Sequence, residues 1–302
     1  MKTPLKQLLA GLLLSVAGLQ SAQAESFVPP DILILVDSLI PFGSGPAFAE
    51  FFGDLKTHCE ANASQSMALD ALGEMRVGVI GVRSTSIHSW VARSGRAKDA
   101  ICKVDPKWRV NAGTFGDINT TDNIYVQIGR GAEYQFCAPQ KSAFEHMFRE
   151  DYYAPRLLLL SFLGNSASRW AKHPEKAVED VEAMMAQLPE DVPCIFMTTA
   201  PAYKKKTVDL RLKAQENLSA AFEKTGARCS FVPGATPETI AANQGNRAHF
   251  RKHKSGKVKD PFHPNKTAAK KFFSLNMASI CTAVFDQLSA PGRHASLVLR
   301  EE

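Results

Sequence analysis

The stretch DILILVDS, residues 31–38, decides the fold, because an unbroken apolar run leads directly into an aspartate and a serine. A short continuous apolar run is typical of a β-strand that is buried on both faces. Residues 76–80 (RVGVI) and 156–163 (RLLLLSFL) have the same character. We therefore predict several buried strands that end in small or polar residues.

Helical and extended patterns alternate along the rest of the chain. Helices are predicted at 46–60, 174–188, 205–225 and 266–288, and further strands at 194–198 and 228–232. Strands that alternate with helices favour an α/β fold, in which helices cover both faces of a parallel sheet. The functional site of such a sheet lies at the carboxyl ends of its strands.

One segment, residues 103–140, fits this alternation poorly. It holds one possible strand, 123–128, and several glycines, namely Gly113, Gly116, Gly129 and Gly131. We interpret the segment as an insertion into a single domain that covers residues 25–302. Its position makes it a candidate cover for the functional edge of the sheet.

The beginning of the chain is typical of a secretory signal peptide. Lys2 and Lys6 precede an apolar stretch at 8–19, and Ala22-Gln-Ala24 closes the segment. A bilayer span needs about 20 apolar residues, so the stretch is too short, and no longer apolar run follows it. We predict a leader at 1–24 and a periplasmic or secreted protein without stable membrane insertion. An uncleaved N-terminal anchor is the alternative.

The cysteine pattern fits an exported protein. The chain has 6 cysteines, an even number that suggests disulfides, but many pairings are possible. They are Cys59, Cys102, Cys137, Cys194, Cys229 and Cys281. The chain has no CxxC motif, which disfavours a zinc or thioredoxin-like site. For Cys194 and Cys229, which open apolar strand-like runs, a buried free thiol is the alternative.

The charge of the chain is mildly positive, with a formal net charge of +6. Basic residues cluster at 204–206 and at 247–259. Each cluster is either a solvated loop or part of a basic rim that attracts an anionic substrate. Basic and aromatic residues do not interleave, so we predict no nucleic-acid partner. Nothing in the sequence indicates the oligomeric state.

Ser38 is a candidate nucleophile because it follows the first predicted strand at the functional edge. A serine there needs a base to activate it. Near the C-terminus, Asp260-Pro-Phe-His263-Pro264 precedes the last predicted helix. The prolines keep this segment out of a helix, and the three-residue spacing lets Asp260 orient His263 while the imidazole faces the serine. Asn165 follows a central strand and could donate a hydrogen bond to an oxyanion.

These three blocks, in this order, resemble the SGNH (GDSL) hydrolase family, and the likeness covers essentially the whole mature chain. The resemblance implies a three-layer αβα fold with a flavodoxin-like parallel sheet. It also implies a serine ester hydrolase with the catalytic triad Ser38, Asp260 and His263, without metal or cofactor. An oxyanion hole would consist of the Ser38 amide, Asn165 and an amide near Ser84.

The chain departs from the family pattern in two places. Val36 stands where the first block has glycine, and we expect it to narrow the site. Gly164 directly precedes Asn165 and Ser166 follows it, whereas the third block of the family is usually Gly-x-Asn-Asp. In the second block, Ser84 or Gly81 is the candidate donor.

Two further residues are assigned to substrate binding. Asp37 adjoins the nucleophile and is predicted to contact the substrate. Trp90 follows a serine-rich stretch, residues 84–89, that resembles carbohydrate-active members of the family. Trp90 is therefore either a sugar platform or a core residue.

The predicted function is removal of O-acyl groups, acetyl above all, from a carbohydrate of the cell envelope. An acyltransferase with the same triad, a lipase and a non-catalytic binding module are the alternatives. His249 and His253 have metal-ligand spacing, but their neighbours are cationic, so we predict no metal site. The chain has no Gly-x-Ser-x-Gly, Gly-x-Gly-x-x-Gly or Walker motif, which disfavours an ordinary α/β-hydrolase and nucleotide cofactors.

Overall fold

The apolar runs form the strands of one mixed sheet. In the computed structural model, the described residues are 30–59, 63–70, 72, 76–83, 85–93, 112–115, 141–149 and 153–289. The strands are β1 (Ile32–Val36), β2 (Val77–Val82), β3 (Ala112–Phe115), β4 (Leu157–Ser161), β5 (Cys194–Met197) and β6 (Ser230–Val232). Every residue of β1, β2, β4 and β5 is buried, as their unbroken apolar sequences predict.

The order of the strands is β3-β2-β1-β4-β5-β6. All neighbours pair in parallel except β3, which runs antiparallel to β2 at one edge. Without β3, the order is that of a flavodoxin-like sheet, with β1 next to the point where the order reverses. The predicted fold class is therefore confirmed, and β1 ends at the position where such sheets carry their sites.

Ten α-helices connect and cover the strands in the described part of the chain. They are α1 (Gly45–Gly53), α2 (Leu55–His58), α3 (Ala63–Asp70), α4 (Ile87–Val91), α5 (Ala143–Met147), α6 (Ala167–Lys172), α7 (Pro174–Met185), α8 (Lys205–Thr225), α9 (Pro237–Asn243) and α10 (Lys266–Leu288). A π-helical turn spans Ile40–Ser44, and a short 3₁₀-helix spans Arg247–His249.

Alternate side chains of β1 divide the core into two layers. Leu33 and Leu35 belong to a cluster that packs against α4 to α8. Ile32, Ile34 and Val36 belong to a second cluster, which packs against α1 to α3 and α10. This division follows from the two-residue period of a strand, and it produces the three layers that the sequence predicts.

Several element boundaries differ from the predictions. The helix predicted at 46–60 is broken at Asp54, whose φ and ψ of −134° and 45° are not helical. The helix predicted at 174–188 ends at Met185, whereas α8 and α10 have the predicted bounds. Of the predicted insertion 103–140, the structure describes only β3, which joins the sheet. The possible strand at 123–128 lies outside the described residues.

Within the described residues, two disulfides join neighbouring elements of the fold. Cys59 after α2 is bonded to Cys281 in α10, and Cys194 at the start of β5 is bonded to Cys229 before β6. The free-thiol alternative is thus wrong for Cys194 and Cys229, whose parallel neighbouring strands bring the two Cα atoms within 4.6 Å. Cys102 and Cys137 lie outside the described residues.

The membrane and export predictions concern different parts of the chain. None of the described helices combines the length and the apolar character that a membrane span requires. The predicted leader at 1–24 lies outside the described residues. The disulfides fit a periplasmic or secreted protein.

Candidate active site

The end of β1 presents Ser38 at the edge of the sheet. The chain leaves the strand through Asp37, whose Oδ1 accepts a hydrogen bond from the Leu39 N–H at 3.0 Å. This local bond bends the backbone immediately around Ser38, as side chains of aspartate commonly do in turns. The Ser38 side chain is largely buried, with 9% of the residue exposed.

The loop before α10 brings an imidazole to this serine. His263 Nε2 lies 2.8 Å from Ser38 Oγ, and His263 Nδ1 lies 2.8 Å from Asp260 Oδ2. The other oxygen of Asp260 accepts the backbone N–H groups of Phe262 at 3.0 Å and His263 at 3.2 Å. Asn265 then caps α10 by accepting the Ala268 N–H at 3.1 Å. The loop is therefore fixed at both ends, and a continuous hydrogen-bonded chain runs from carboxylate to hydroxyl.

The ionisation of this chain suits proton transfer from the serine. Burial lowers the pKa of His263, while the hydrogen bond and charge of Asp260 act against this and the charges of Arg211 and Arg83 add to it. The net effect keeps the imidazole neutral near pH 7, as a general base requires. Burial acts to raise the pKa of Asp260, but hydrogen bonds from Phe262 and His263 hold it below its ordinary value. The carboxylate is therefore charged.

The predicted oxyanion donors have different outcomes. Asn165 follows β4 and lines the same cavity, where its Nδ2 donates to the Thr85 carbonyl at 2.7 Å. An amide nitrogen carries two hydrogens, so one remains for a second acceptor. Ser84 lies outside the described residues. Gly81 lies within β2 and is not among the lining residues; a Cβ there would approach Ile40 Cβ to 2.2 Å, so its lack of a side chain serves packing.

The cavity in front of Ser38 has a volume of about 300 Å³. It is lined by Asp37, Ser38, Leu39, Phe42, Arg83, Gly164, Asn165, Thr199, Arg211, Phe262 and His263. Val36, which was expected to narrow the site, is not among them. It is fully buried in the core against the α1 and α10 layer, because alternation along β1 directs it there.

Trp90 does not line the cavity, and its assignment as a sugar platform is corrected. It is fully buried, with its ring 5.7 Å from that of Phe144 and 6.2 Å from that of Phe162. Trp90 is a core residue, which is the other alternative that the sequence allowed. The aromatic residue at the mouth of the cavity is instead Phe262, which is 47% exposed.

Arg211 is a site residue that sequence reasoning missed. It is 6% exposed, it lines the cavity, and its Nη1 donates to the carbonyls of Ala200 at 3.2 Å and Phe262 at 3.5 Å. A Cβ on Gly164 would lie 3.0 Å from Arg211 Nη2. A signal was present, since Arg211 stands one turn after Val208 on the apolar face of α8, where an arginine requires an explanation.

Asp37 and Arg211 are two buried ionisable groups of the cavity wall, and the charge of each acts on the pKa of the other. Burial raises the pKa of Asp37 to about 6, although the Leu39 N–H and the charge of Arg211 both lower it. Burial lowers the pKa of Arg211, and the charges of Asp37 and Asp260 oppose that effect. Asp37 is only 2% exposed and lines the cavity; its contact with the substrate stays a prediction.

Phe42 was not predicted, and it joins the imidazole to two cations. Its ring stacks on that of His263, with centroids 4.3 Å apart. The guanidinium carbon of Arg83 lies 4.5 Å from the Phe42 centroid, and that of Arg251 lies 5.6 Å from it. Both distances are within the range of cation–π attraction.

Of the two histidines with metal-ligand spacing, His249 and His253, the first is hydrogen-bonded to a protein side chain. His249 Nδ1 is hydrogen-bonded to Asn243 Oδ1 at 2.7 Å. Within the described residues, no group of three or more histidine, cysteine, aspartate or glutamate side chains could hold a metal ion.

Similarity to known proteins is found among solved structures. No protein-family model matches the chain, and no curated protein matches it. A DUF4886 family protein from Bacteroides uniformis is similar at 12% identity and a TM-score of 0.40, covering 91% of this chain and 97% of that one. A protein from Slackia heliotrinireducens, whose name gives it as a candidate SGNH hydrolase, is similar at 12% identity and a TM-score of 0.37. The likeness covers 85% of this chain and 99% of that one. Likeness at these TM-scores carries no argument about chemistry, which has to come from the site.

Proposed function

We propose that the protein is a serine ester hydrolase of the cell envelope, of the SGNH type, that removes O-acetyl or similar acyl groups from a carbohydrate. The observation that carries the proposal is the chain of two 2.8 Å contacts from Asp260 through His263 to Ser38. Nucleophile, base and orienting carboxylate have the geometry that acyl transfer to a serine requires.

The reaction proceeds in two steps. Ser38 Oγ attacks the ester carbonyl while His263 Nε2 takes the hydroxyl proton, and the charge of Asp260 stabilises the imidazolium that forms. The imidazolium then gives this proton to the alcohol oxygen, which leaves, and the acyl group stays on Ser38. Water attacks the acyl-enzyme with His263 as base again, which releases the carboxylic acid and restores the serine.

The negative oxygen of each tetrahedral intermediate needs hydrogen-bond donors. Our candidates are the Ser38 amide, the free Nδ2 hydrogen of Asn165 and an amide near Ser84. Donors that are already oriented lower such barriers by about 3–4 kcal/mol each. The bond from Asn165 to the Thr85 carbonyl supports this role, because it fixes the amide before substrate arrives.

The residues at the cavity support a carbohydrate as the alcohol component of the ester substrate. The exposed ring of Phe262 adjoins His263, and the lining includes polar side chains of Asp37, Asn165 and Thr199. Aromatic rings with nearby polar groups suit sugar rings, which have apolar faces and hydroxyl edges.

The first test is hydrolysis of p-nitrophenyl acetate by the mature protein, Ser38→Ala and His263→Ala. We expect activity in the wild type and a loss of at least about a thousandfold in either variant. Ser168→Ala and His173→Ala, which alter exposed residues outside the site, serve as controls that retain activity. Activity that survives Ser38→Ala would remove the nucleophile from the proposal.

An acyltransferase with the same triad is the second candidate, since acyl-Ser38 can pass its group to a sugar hydroxyl instead of water. Release of p-nitrophenol that accelerates when a glycan is added, with acetyl-glycan as product, would favour transfer. A non-catalytic binding module predicts no turnover under any of these conditions and glycan binding that Ser38→Ala leaves intact.

A further inference from the structure

Two basic segments that are distant in the sequence meet beside the candidate active site. Tyr203, directly before Lys204–Lys206, donates its N–H to the Pro261 carbonyl at 2.9 Å and accepts the Gly245 N–H at 3.0 Å. Its ring packs edge-on against Phe250 at 5.5 Å. Tyr203, which precedes residues 204–206, and Phe250, which lies within residues 247–259, therefore meet next to the loop that carries Asp260 and His263.

The second segment, which we name the basic loop (residues 247–259), has an ordered backbone. Lys252 pairs with Val258 in an antiparallel bridge, the His253 N–H donates to the Lys257 carbonyl at 2.8 Å, and the Lys259 N–H donates to the Arg251 carbonyl at 2.7 Å. The turn at Gly256 has a φ of 78°, which glycine adopts readily. The loop therefore presents its side chains from a defined hairpin-like frame.

The basic loop has a strong, largely unneutralised charge. It contains 6 lysines and arginines and no acidic residue: Arg247, Arg251, Lys252, Lys254, Lys257 and Lys259, all of them exposed. Arg251 approaches Asp260, with 3.9 Å between Nη2 and Oδ2. Within the part of the chain that the structure describes, none of the other five lies in an ion pair. Uncompensated cations on a fixed frame attract anions before contact.

The positive charge continues from the loop into the cavity. Arg251 and Arg83 both approach the Phe42 ring, which stacks on His263, and Arg211 lies buried in the cavity wall. Two guanidinium groups, those of Arg83 and Arg211, thus line the cavity, and that of Arg251 lies against the same Phe42 ring as Arg83. Arginine pairs well with carboxylates because its planar donors match their two oxygens.

The cavity wall also offers a hydroxyl to a ligand. Thr199 is 2% exposed, lines the cavity, and its Oγ1 has no hydrogen-bond partner among the described residues. A buried polar atom of this kind is costly unless something satisfies it. Two carboxyl groups lie near this hydroxyl's cavity: Asp37 lines it, and Asp260 is bonded to the lining residue His263. Both already accept hydrogen bonds from protein donors.

We infer that the ester is carried by an acidic polysaccharide, whose carboxylates bind the basic loop and Arg83 while one acyl group enters the cavity. This inference rests on the proposed function and names its substrate class. A uronic acid polymer combines a regular series of negative charges with sugar rings that can pack against the exposed Phe262. A nucleic acid fits less well, because the aromatic ring of the basic loop, Phe250, is 1% exposed and cannot stack on bases.

The experiment compares acetate release from O-acetylated polygalacturonate and from O-acetylated xylan, a neutral polymer. We expect the wild type to prefer the acidic polymer by about tenfold or more in kcat/KM, and we expect salt to reduce this preference because exposed charges are screened. The triple variant Lys252→Gln/Lys254→Gln/Lys257→Gln should lose most of the preference. The matched control Lys172→Gln/Lys213→Gln/Lys224→Gln, which removes three exposed lysines of α6 and α8, should keep it.

The outcomes separate this inference from the proposed function. Equal rates on both polymers, or a preference that the triple variant retains, would overturn the inference, while Ser38-dependent hydrolysis of p-nitrophenyl acetate would still support the proposed function. If no ester is hydrolysed, the proposed function fails and the substrate named here fails with it, while binding still tests whether the basic loop recognises an acidic polymer. Ser38→Ala protein should then bind polygalacturonate in a salt-dependent manner and ignore dextran; equal or stronger binding of single-stranded DNA would overturn it.

Discussion

Two aspartates adjoin the candidate nucleophile, and their surroundings have opposite effects on them. Asp37, at the end of β1, is 2% exposed and has a pKa raised to about 6. Asp260, in the loop before α10, has a lowered pKa because Phe262 and His263 supply hydrogen bonds that outweigh its burial. Asp37 accepts one backbone N–H and feels the charge of Arg211.

The difference follows from depth and donors together: Asp37 is the more deeply buried carboxyl group and accepts one N–H, whereas Asp260 is less buried and accepts hydrogen bonds from both Phe262 and His263. Asp260 is suited to stabilise an imidazolium, since its charge persists through the pH range in which His263 acts. Asp37 is suited to shape the turn around Ser38, because its Oδ1 can accept the Leu39 N–H whether or not the carboxyl group is charged.

The largest expected effect is on catalysis, and it tests this division directly. Asp260→Asn should lower kcat/KM for p-nitrophenyl acetate by about a thousand- to ten-thousandfold, because an amide cannot hold the required tautomer or stabilise the imidazolium. Asp37→Asn should cost far less, since its Oδ1 can still accept the Leu39 N–H. Equal losses in the two variants would place Asp37 in the chemistry and end the comparison.

The next effect concerns stability and pH. A carboxyl group whose folded pKa lies above its unfolded value binds more protons in the folded state between the two, so its contribution to stability falls as pH rises. From the ordinary value of 3.8 to about 6, the change for Asp37 amounts to about 3 kcal/mol.

Urea unfolding of wild type and Asp37→Asn at pH 4 and pH 7.5 measures this change. The wild type should lose stability relative to the variant between the two pH values, and the constant cost of leaving Arg211 without its carboxylate cancels in that difference. Asp286→Asn, at an exposed position of α10, is the control. A difference that runs in the opposite direction would contradict the effect of burial on Asp37.

A smaller effect is expected from Gly164→Ala, whose new Cβ would crowd the buried side chains of Arg211 and Asp37. The new Cβ would lie 3.0 Å from Arg211 Nη2 and 3.8 Å from Asp37 Oδ2. We expect a loss of about 1–2 kcal/mol in the free energy of unfolding and a several-fold loss of activity, because Asn165 is the next residue. Gly53→Ala, whose Cβ would meet Val77 at an ordinary 3.7 Å, should leave both unchanged.

The smallest effect is a displacement of the pH–rate profile. Because its pKa is lowered, His263 should give an acid limb of kcat/KM below the ordinary histidine value of 6.5. Arg83→Gln removes a positive charge that lowers this pKa, so the limb should move to higher pH. Arg93→Gln, whose guanidinium pairs with Glu145 on the surface, should leave it in place. A limb that moves downward in Arg83→Gln would exclude this electrostatic coupling.

The sequence predicted the parts of the molecule that depend on regular patterns. The apolar run of β1 and the bounds of α8 and α10 follow directly from hydrophobic periodicity. The proximity of Ser38, Asp260 and His263 agrees with the prediction that strand ends and the last loop meet at one edge of the sheet. The catalytic roles of these residues remain predictions.

Other parts depend on long-range packing that periodicity does not encode. Trp90 looks the same in sequence whether it lies in a core or at a surface, and its burial is decided by α5 and β4 packing over it. Phe42 and Arg83 meet His263 only because the π-helical turn and the end of β2 converge there. Break points such as Asp54 depend on single backbone conformations, which propensity predicts poorly.

The disulfide between Cys59 and Cys281 spans 222 residues, and it therefore closes most of the chain into a covalent ring. Ser38 lies just before this ring on one side, and His263 lies inside it near the other end. A single proteolytic cut anywhere between Cys59 and His263 would separate Ser38 and His263 into two peptides that the sulfur–sulfur bond still tethers. The nicked protein would migrate as one species until a reductant is added, so a cut in an exposed loop would not disperse the two halves of the candidate site.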